Sequence, residues 1–547
     1  MTTPAAPKPL SKPEKIKQAK DGLDVIHDLE RYAAGGLSSV DKDDLNIRFR
    51  WYGIYTQRPE EEGFFMLRVR CDGGQLTAAQ LRKVADLADR YARGVADVTT
   101  RQNFQYHWVR LESLPVILRE LAEVGLSTTE ACGDTPRVVV GCPLAGRSAD
   151  EVLDCRPYIR DLAGALVGKK DYSNLPRKYK STVAGCGIHC HQPEINDLAF
   201  TAVRHPVDGR IGFTLRVGGG LSVRPHFSTP VGVFVKPEEM VEVGVKVTEI
   251  FRDHGYREKR NRARLKFLLA DWGAEKFRSV LEEKLGRPLE HLAEPELPED
   301  RRTDHLGIHP QRQPGLFYVG APVIGGRLTS DKIRTLADLA ERYGSGTVAT
   351  TNKQNVIVLD VPEAKVADVV AGLQLIGHDP KAATFRKSTI ACTGTEFCKL
   401  AVVETKARAR EVTDHLDARF DGTGGRDVFI SFTGCPNSCA QYQIAEIGLV
   451  GQGRKIDGKL TDHYSIHVGG GVGRTQAFGR EVGLMVPADQ VKFALENLLS
   501  AYERGKQSGE SFRQFALRHD DAAVRTMIKT GAAIAHIHEF TPDPVDD

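Results

Sequence analysis

The sequence predicts an α+β protein built from two related halves packed about a pseudo-twofold axis. Three observations carry that reading. Gly73 to Asn103 lies on Gly325 to Asn355 without a gap and matches at 15 of 31 positions. Each copy reads as strand, helix, strand, helix with short links, a small α/β half-domain. Beyond these units, Val217-Gly-Gly-Gly-Leu returns as Val468-Gly-Gly-Gly-Val, and Gly185-Cys186-x3-Cys190 falls near the register of Gly434-Cys435-x3-Cys439. Repetition on this scale fixes architecture before any local assignment.

The elements follow in order. An apolar run predicts the first strand (Phe64 to Val69; Leu316 to Val319). Gly-Gly turns the chain, and Leu-Thr opens an amphipathic helix. A return strand follows the Gln-Asn pair (Phe104 to Val109; Val356 to Leu359). A second helix closes the unit (Leu114 to Val124; Ala364 to Leu375). The predicted organisation is a mobile N-terminal extension over 1-45, whose first part to Lys20 is rich in Lys, Pro and Ala. A half-domain over 46-130 and a larger α+β lobe over 131-305 follow. A second half-domain over 306-388, a second lobe over 389-505 and a C-terminal tail over 506-547 complete it. Matching loops should meet across a central cleft large enough for a cofactor.

Bulk properties exclude several classes. The 547 residues exceed a single core, and 41% hydrophobic with 27% charged residues is ordinary for a globular protein. A net charge of +3 does not suggest a dedicated nucleic-acid binder. No apolar run spans a membrane and no signal peptide opens the chain, so a cytoplasmic protein is expected.

In that compartment the 10 cysteines are weighed first as metal ligands. Ala391-Cys392-Thr-Gly-Thr-Glu-Phe-Cys398 and Gly434-Cys435-Pro-Asn-Ser-Cys439 form a C-x5-C and a C-x3-C pair. Four thiolates suit the soft irons of a [4Fe-4S] cluster. A structural zinc ion is the alternative, although it favours C-x2-C or C-x4-C knuckles. Cys186 and Cys190 lack a matching C-x5-C partner. They read as ordinary buried thiols, with a vestige or a second metal site as alternatives, and Cys71, Cys142 and Cys155 as structural.

The order C-x5-C, then Gly-Cys-Pro-Asn-x-Cys, in a duplicated chain resembles the sirohaem-dependent assimilatory sulfite and nitrite reductases, from about Asn46 to about Ser500. The resemblance implies ferredoxin-like half-domains, sulfite-reductase-type lobes, a sirohaem and a [4Fe-4S] cluster on Cys392, Cys398, Cys435 and Cys439, with Cys439 also bridging to the sirohaem iron. It implies that Arg101, Arg137, Lys178 and Lys180 bind a small oxyanion, where Arg offers two donors and Lys a mobile charge and a titratable proton. Arg474 would hold a sirohaem carboxylate, and Asn103 is assigned to the cofactor with it. Arg177 reads as a surface residue or a carboxylate contact. Tyr55 and Cys132 match a covalently linked pair near the cofactor in actinobacterial-type sulfite reductases. His107 and His191 are expected in core or rim roles.

Lys180 favours sulfite, because plant-type nitrite reductases typically carry Asn there and a second cation suits a dianion. The short Arg58 to Gly63 connection is closer in length to nitrite reductases, which keeps nitrite as the alternative. No flavin or nicotinamide fingerprint occurs, so electrons come from outside. The family's donor is reduced ferredoxin, for which the basic run Arg257, Lys259, Arg260, Arg262, Arg264 and Lys266 could be a docking face or simply a solvated one. A nucleic-acid-binding protein with a structural cluster is the reading from another class. A monomer is expected, since the duplication supplies an internal pseudo-dimer.

Overall fold

The computed structural model describes residues 10–298, 305–420 and 428–542. Its two half-domains are not separate units. The first five-stranded sheet runs Ile54–Thr56, Phe65–Val69, Phe104–Val109, Val95–Val98 and then Arg327–Thr329, which comes from the second half. The second runs Gly307–Pro310, Leu316–Ala321, Val356–Pro362, Thr347–Thr350 and then Gln75–Thr77, from the first half. Each half lends the strand after its Gly-Gly turn to the other's sheet, with Leu328 opposite Ala96 and Leu76 opposite Val348.

The Gly-Gly pairs make this exchange possible. Gly74 and Gly326 both have φ of +74, and a Cβ at Gly74 would lie 2.6 Å from the Thr350 carbonyl oxygen. At Gly326 it would lie 2.1 Å from that of Val98. Only glycine tolerates both the left-handed backbone and so close a neighbouring strand. Thr77 and Thr329 then cap the helices Ala78–Tyr91 and Ser330–Tyr343. These pack face to face across the pseudo-twofold, and one apolar core runs through both half-domains.

Each lobe is a six-stranded sheet. Pro136–Gly141, Tyr179–Ala184 and Leu198–Arg204 are parallel, followed by antiparallel Ile211–Val217, Thr229–Val235 and Glu290–His291. The second lobe repeats this with Thr389–Ala391, Ile430–Thr433, Ile447–Ile456, Lys459–Val468, Arg480–Pro487 and His538–Glu539. The lobes meet on the axis through equivalent residues. Gln192 Nε2 donates to Gln441 Oε1 at 2.9 Å, and the Phe227 and Phe478 rings stack at 4.0 Å.

Two expectations at the termini are corrected. Residues 1–9 of the N-terminal extension lie outside the described residues, but the rest is folded. Within the helix Lys12–Ala19, Lys17 is buried and its ammonium sits 2.8 Å from the Leu175 carbonyl and 3.3 Å from Asp134. The Lys/Pro/Ala composition hid three residues, Glu14, Ile16 and Lys17, that face the first lobe. The C-terminal tail is equally built in. The helices Phe512–Leu517 and Asp521–Lys529 join the second lobe's core, and Asn497 Nδ2 donates to the Ile528 carbonyl at 2.9 Å. Among the described residues no helix is long and apolar enough to cross a membrane.

Deleting residues 1–20 should therefore lower stability by about 2–4 kcal/mol in urea unfolding, since Asp134 loses a buried cation; a mobile tail would leave the midpoint unchanged. A second test concerns Glu130, in the link between half-domain and lobe. It accepts from the Gly168 N–H at 2.9 Å, its other oxygen has no partner, and burial pushes its carboxyl up to about 7. The folded state then binds a proton that the unfolded chain releases near pH 4.3, so stability falls as pH rises from there to about 7. Glu130→Gln should raise Tm at pH 8 and leave it unchanged at pH 4.

Candidate functional site

The four predicted cysteines converge at the edge of the second lobe's sheet. Cys392 follows the strand Thr389–Ala391, and its sulfur accepts from the Gly434 N–H at 3.1 Å. Gly434 sits so close to Ala401 that a Cβ would approach to 2.9 Å, so glycine is required beside Cys435. The loop to Cys398 is pinned by the first half: the Phe397 ring stacks on His107 at 3.7 Å, and the Arg58 N–H donates to the Phe397 carbonyl at 3.0 Å. Cys392, Cys398 and Cys435 each feel the charge of Cys439. Burial pushes the Cys392 thiol up to about 12 and raises those of Cys398 and Cys435. Thiolates at such a site need the positive charge of a metal.

Cys439 is the exposed member of the four and faces a different environment. Its carbonyl accepts from Thr100 Oγ1 at 3.0 Å, which brings the loop of Arg101 over it. Its charge is felt by Arg68 and Lys178. Around this point the first half gathers cations. Burial, reinforced by Arg137, pushes Arg101 down to about 9. Burial lowers Arg68 to about 10 and Lys178 to about 8, and it holds Lys180 well below the usual range, with Arg101 and Lys178 next in effect. Lys266 is lowered to about 7 by burial and by Arg264.

The cations divide by freedom. Arg101 Nη1 donates to Asn196 at 2.9 Å and Nη2 to the carbonyls of Val138 and Ser181 at 2.7 and 3.1 Å, leaving Nε buried without a partner. Arg137 is tied back to the Gly133 and Ala131 carbonyls. Neither arginine presents the open fork expected of it. Among the described residues, the Lys178 and Lys180 ammonium groups have no hydrogen-bond or ion-pair partner. Pinned arginines therefore supply a fixed field, and free lysines are left to meet a ligand.

Three comparisons bear on this arrangement. The model of the "nitrite and sulphite reductase 4Fe-4S domain" matches residues 132–289 and 383–524, and that of the "nitrite/sulfite reductase ferredoxin-like half domain" matches 57–124 and 309–376. The chain belongs to the nitrite and sulphite reductase family. It is 42% identical to a sulfite reductase [ferredoxin] of Mycobacterium tuberculosis over 94% of this chain and 96% of that one. It is 38% identical to an assimilatory ferredoxin-dependent nitrite reductase of Haloferax mediterranei, over 94% and 92%. The solved structure of the Mycobacterium tuberculosis NirA protein superposes with a TM-score of 0.91 at 41% identity, covering 95% of this chain and 98% of that one.

The family's two cofactors, sirohaem and a [4Fe-4S] cluster, fit the residues present. The cysteine cage suits the cluster. A macrocycle rich in carboxylates suits a cleft where buried cations repel one another and Arg101 Nε lacks a partner. A Cβ on Gly220 or Gly471 would meet the Arg264 or Arg513 guanidinium at 2.5 or 2.6 Å, so the two Gly-rich segments bring backbone close to buried cations.

The other predicted residues divide. Tyr55 lies with its ring 5.8 Å from the Arg68 guanidinium; Arg68 Nη1 reaches the Ala131 carbonyl at 3.5 Å, next to Cys132, so both residues belong to one wall. Asn103 is spent on the fold, because Oδ1 accepts from the Cys71 N–H at 3.0 Å. Arg474 is paired with Glu296 at 2.8 Å at the exposed end of its loop. Arg177 meets Asp134 at 3.3 Å. His107 is a core residue, 2.9 Å from Asp97, and His191 is buried.

Four of the six cations in the basic run are engaged within the fold, while Lys259 and Arg262 are exposed. Arg264 pairs with Asp197, Arg260 with Asp134 and Arg257 with Glu14, each at 2.7 Å, while Lys266 points at the carbonyls of Gly220, Leu221 and Arg224. Sequence reasoning missed Arg68 as part of the site. The signal was present, since Arg68 interrupts the apolar strand Phe65–Val69 at an alternate position, opposite the core.

Asn103 and Asn355 provide a matched test. Asn355 Oδ1 accepts from the Val323 N–H at 2.8 Å as Asn103 does from Cys71. Either Ala substitution should cost about 1–3 kcal/mol by orphaning a buried N–H. Only Asn103→Ala should also lower kcat/KM, by about tenfold or more, through a loosened Arg101 loop, with the visible spectrum retained. Equal loss of activity in both variants would refute the assignment.

Proposed function

We propose that the protein is a ferredoxin-dependent sulfite reductase that takes sulfite to sulfide in a six-electron reduction, working as a monomer in the cytoplasm. One observation carries this reading: Lys178 and Lys180 stand unpaired beside Arg101, over the face of the cage that Cys439 presents. Two free ammonium groups in a field of pinned arginines balance a dianion better than a monoanion. The relatives named as ferredoxin-dependent enzymes support reduced ferredoxin as donor.

When bound, the cluster and sirohaem supply electrons to the substrate's central atom. The chain's own residues do the rest. Arg101 and Arg137, immobilised by carbonyls, hold the charge of the site in place before the anion arrives, so little reorganisation is needed. Lys178 and Lys180 bind substrate oxygens through Nζ–H. Each oxygen that leaves as water needs protons, and an ammonium whose pKa burial has brought down to about 8 gives up a proton more readily than an ordinary lysine. Cys439, which belongs both to the cage and to the cation face, would help to hold the cluster beside the substrate-binding cations. Tyr55 and Cys132 shape the wall beside Arg68.

Nitrite is the second reading, and the Haloferax relative's name favours keeping it. Steady-state turnover with reduced ferredoxin separates the two. We expect a higher kcat/KM for sulfite, and a loss of about 10- to 100-fold for sulfite in Lys180→Asn with a smaller change for nitrite. A wild-type preference for nitrite would reverse the assignment.

A further inference from the structure

The pseudo-twofold carries the cluster cage onto the first lobe residue by residue. Gln354 Oε1 accepts from the Ala391 N–H at 3.0 Å, and Gln102 Oε1 accepts from the Gly141 N–H at 3.1 Å, so Cys392 corresponds to Cys142. The two C-x3-C turns match Cys435 with Cys186 and Cys439 with Cys190. The loop of the opposite half covers both turns in the same way, with Thr100 on the Cys439 carbonyl at 3.0 Å and Asn352 on the Cys190 carbonyl at 2.7 Å. Where the fourth cysteine would fall, in the place of Cys398, stands Ser148. The first lobe has three sulfurs of a four-sulfur cage.

A fourth donor arrives from another part of the chain. Cys142 Sγ is 3.9 Å from His305 Nε2, and the ligand atoms of Cys142, Cys190 and His305 all lie within 4.8 Å of one another. The Cys186 thiol is a hydrogen-bonding neighbour of both Cys142 and Cys190. His305 takes a left-handed backbone with φ of 54, and Gly320 makes room for it, since a Cβ there would lie 2.2 Å from the His305 carbonyl oxygen. A histidine held in that conformation is set there by its surroundings.

We propose that Cys142, Cys186, Cys190 and His305 bind one structural zinc ion. Three thiolates and an imidazole are a zinc donor set, and tetrahedral bonds of about 2.3 Å to sulfur and about 2.0–2.1 Å to nitrogen place ligand atoms about 3.6–3.8 Å apart. For Cys142, Cys190 and His305 the observed spacing needs only a small contraction, and Cys186, a neighbour of both cysteines but outside that close trio, would move in to complete the set. An iron-sulfur cube is a poorer match, because its own irons and sulfides hold the ligating cysteines further apart. Among the described residues, Cys392, Cys398, Cys435 and Cys439 do not close to the single-ion spacing that Cys142, Cys190 and His305 reach. The ion would staple the first lobe to the second half, since His305 leads into the strand Gly307–Pro310 of the second half-domain. On binding, the three thiols release their protons and the imidazole binds through Nε2.

Elemental analysis of the holoenzyme after an EDTA wash tests this. We expect about one zinc per chain, with an X-ray absorption edge fitted by three sulfurs and one nitrogen. Cys190→Ser and His305→Ala should each lower bound zinc by more than about tenfold, with iron content and visible absorption unchanged. If either variant fails to fold, the zinc count and absorption fit of the unaltered protein still decide. Three results would overturn the proposal. One is zinc-free protein that takes up no zinc when reduced and supplied with it. Another is iron beyond one cluster and one haem that disappears in Cys190→Ser. The third is a disulfide among Cys142, Cys186 and Cys190 in anaerobically prepared protein.

Discussion

The structure depends on a reciprocal exchange: each half completes the other's sheet with the three-residue strand that follows its Gly-Gly turn. Because Gln75–Thr77 and Arg327–Thr329 lie on foreign sheets, neither half-domain has a complete set of backbone partners by itself, and an orphaned edge is costly. The exchange also aims the loops that matter. Gln102 reaches both the Gly141 backbone of its own lobe and the Thr350 carbonyl of the other half, and Gln354 does the same with Ala391 and Val98. The next residues inward then cross the axis, so Thr100 touches Cys439 and Asn352 touches Cys190.

Two pseudo-equivalent centres result, and the chain has treated them differently. Over Cys439 it has placed Arg68, Arg101, Lys178 and Lys180, each pushed below its usual pKa by burial and, after that, by repulsion from neighbouring cations such as Arg137 and Arg264. Such a concentration of charge is unfavourable for the unliganded fold and favourable only with anions present. Over Cys190 the loop carries Lys353, whose ammonium lies on the Phe429 ring at 4.3 Å, and the sulfurs draw together with His305. The same scaffold thus holds one wide, cationic centre and one narrow centre of metal-ligand composition.

A third constraint joins the halves electrostatically. Asp97 lies 2.9 Å from His107, 3.0 Å from Arg327 and 2.9 Å from Lys406, all part-buried or buried. Arg327 sits on the exchanged strand and reaches on to Glu396 at 2.9 Å, inside the C-x5-C loop. His107, held by Asp97, stacks on Phe397 of that loop. The geometry of the cysteine cage is therefore set partly by first-half residues remote from it in sequence, and breaking a buried ion of this kind disturbs its partners strongly.

Much was readable in the chain itself. The repeat revealed the duplication, because a matched hydrophobic pattern and matched Gly-Gly and Gln-Asn pairs specify local elements whatever surrounds them. The cysteine spacings revealed the cluster, since ligand type and spacing are local properties. What the sequence could not decide is what depends on contacts between distant segments. The short strands Gln75–Thr77 and Arg327–Thr329 exist only because a foreign edge pairs with them. The helix Lys12–Ala19 is polar in composition, and only its docking against Asp134 and Leu175 orders it. Asn103, Arg257, Arg260, Arg264 and Lys266 looked available for ligands until tertiary partners claimed them. His305 lies far from Cys142, Cys186 and Cys190 in sequence, and no spacing rule joins them. Residue types and their periods are fixed by the chain, whereas which donors remain unpaired, and which meet, is decided only when the two halves close on each other.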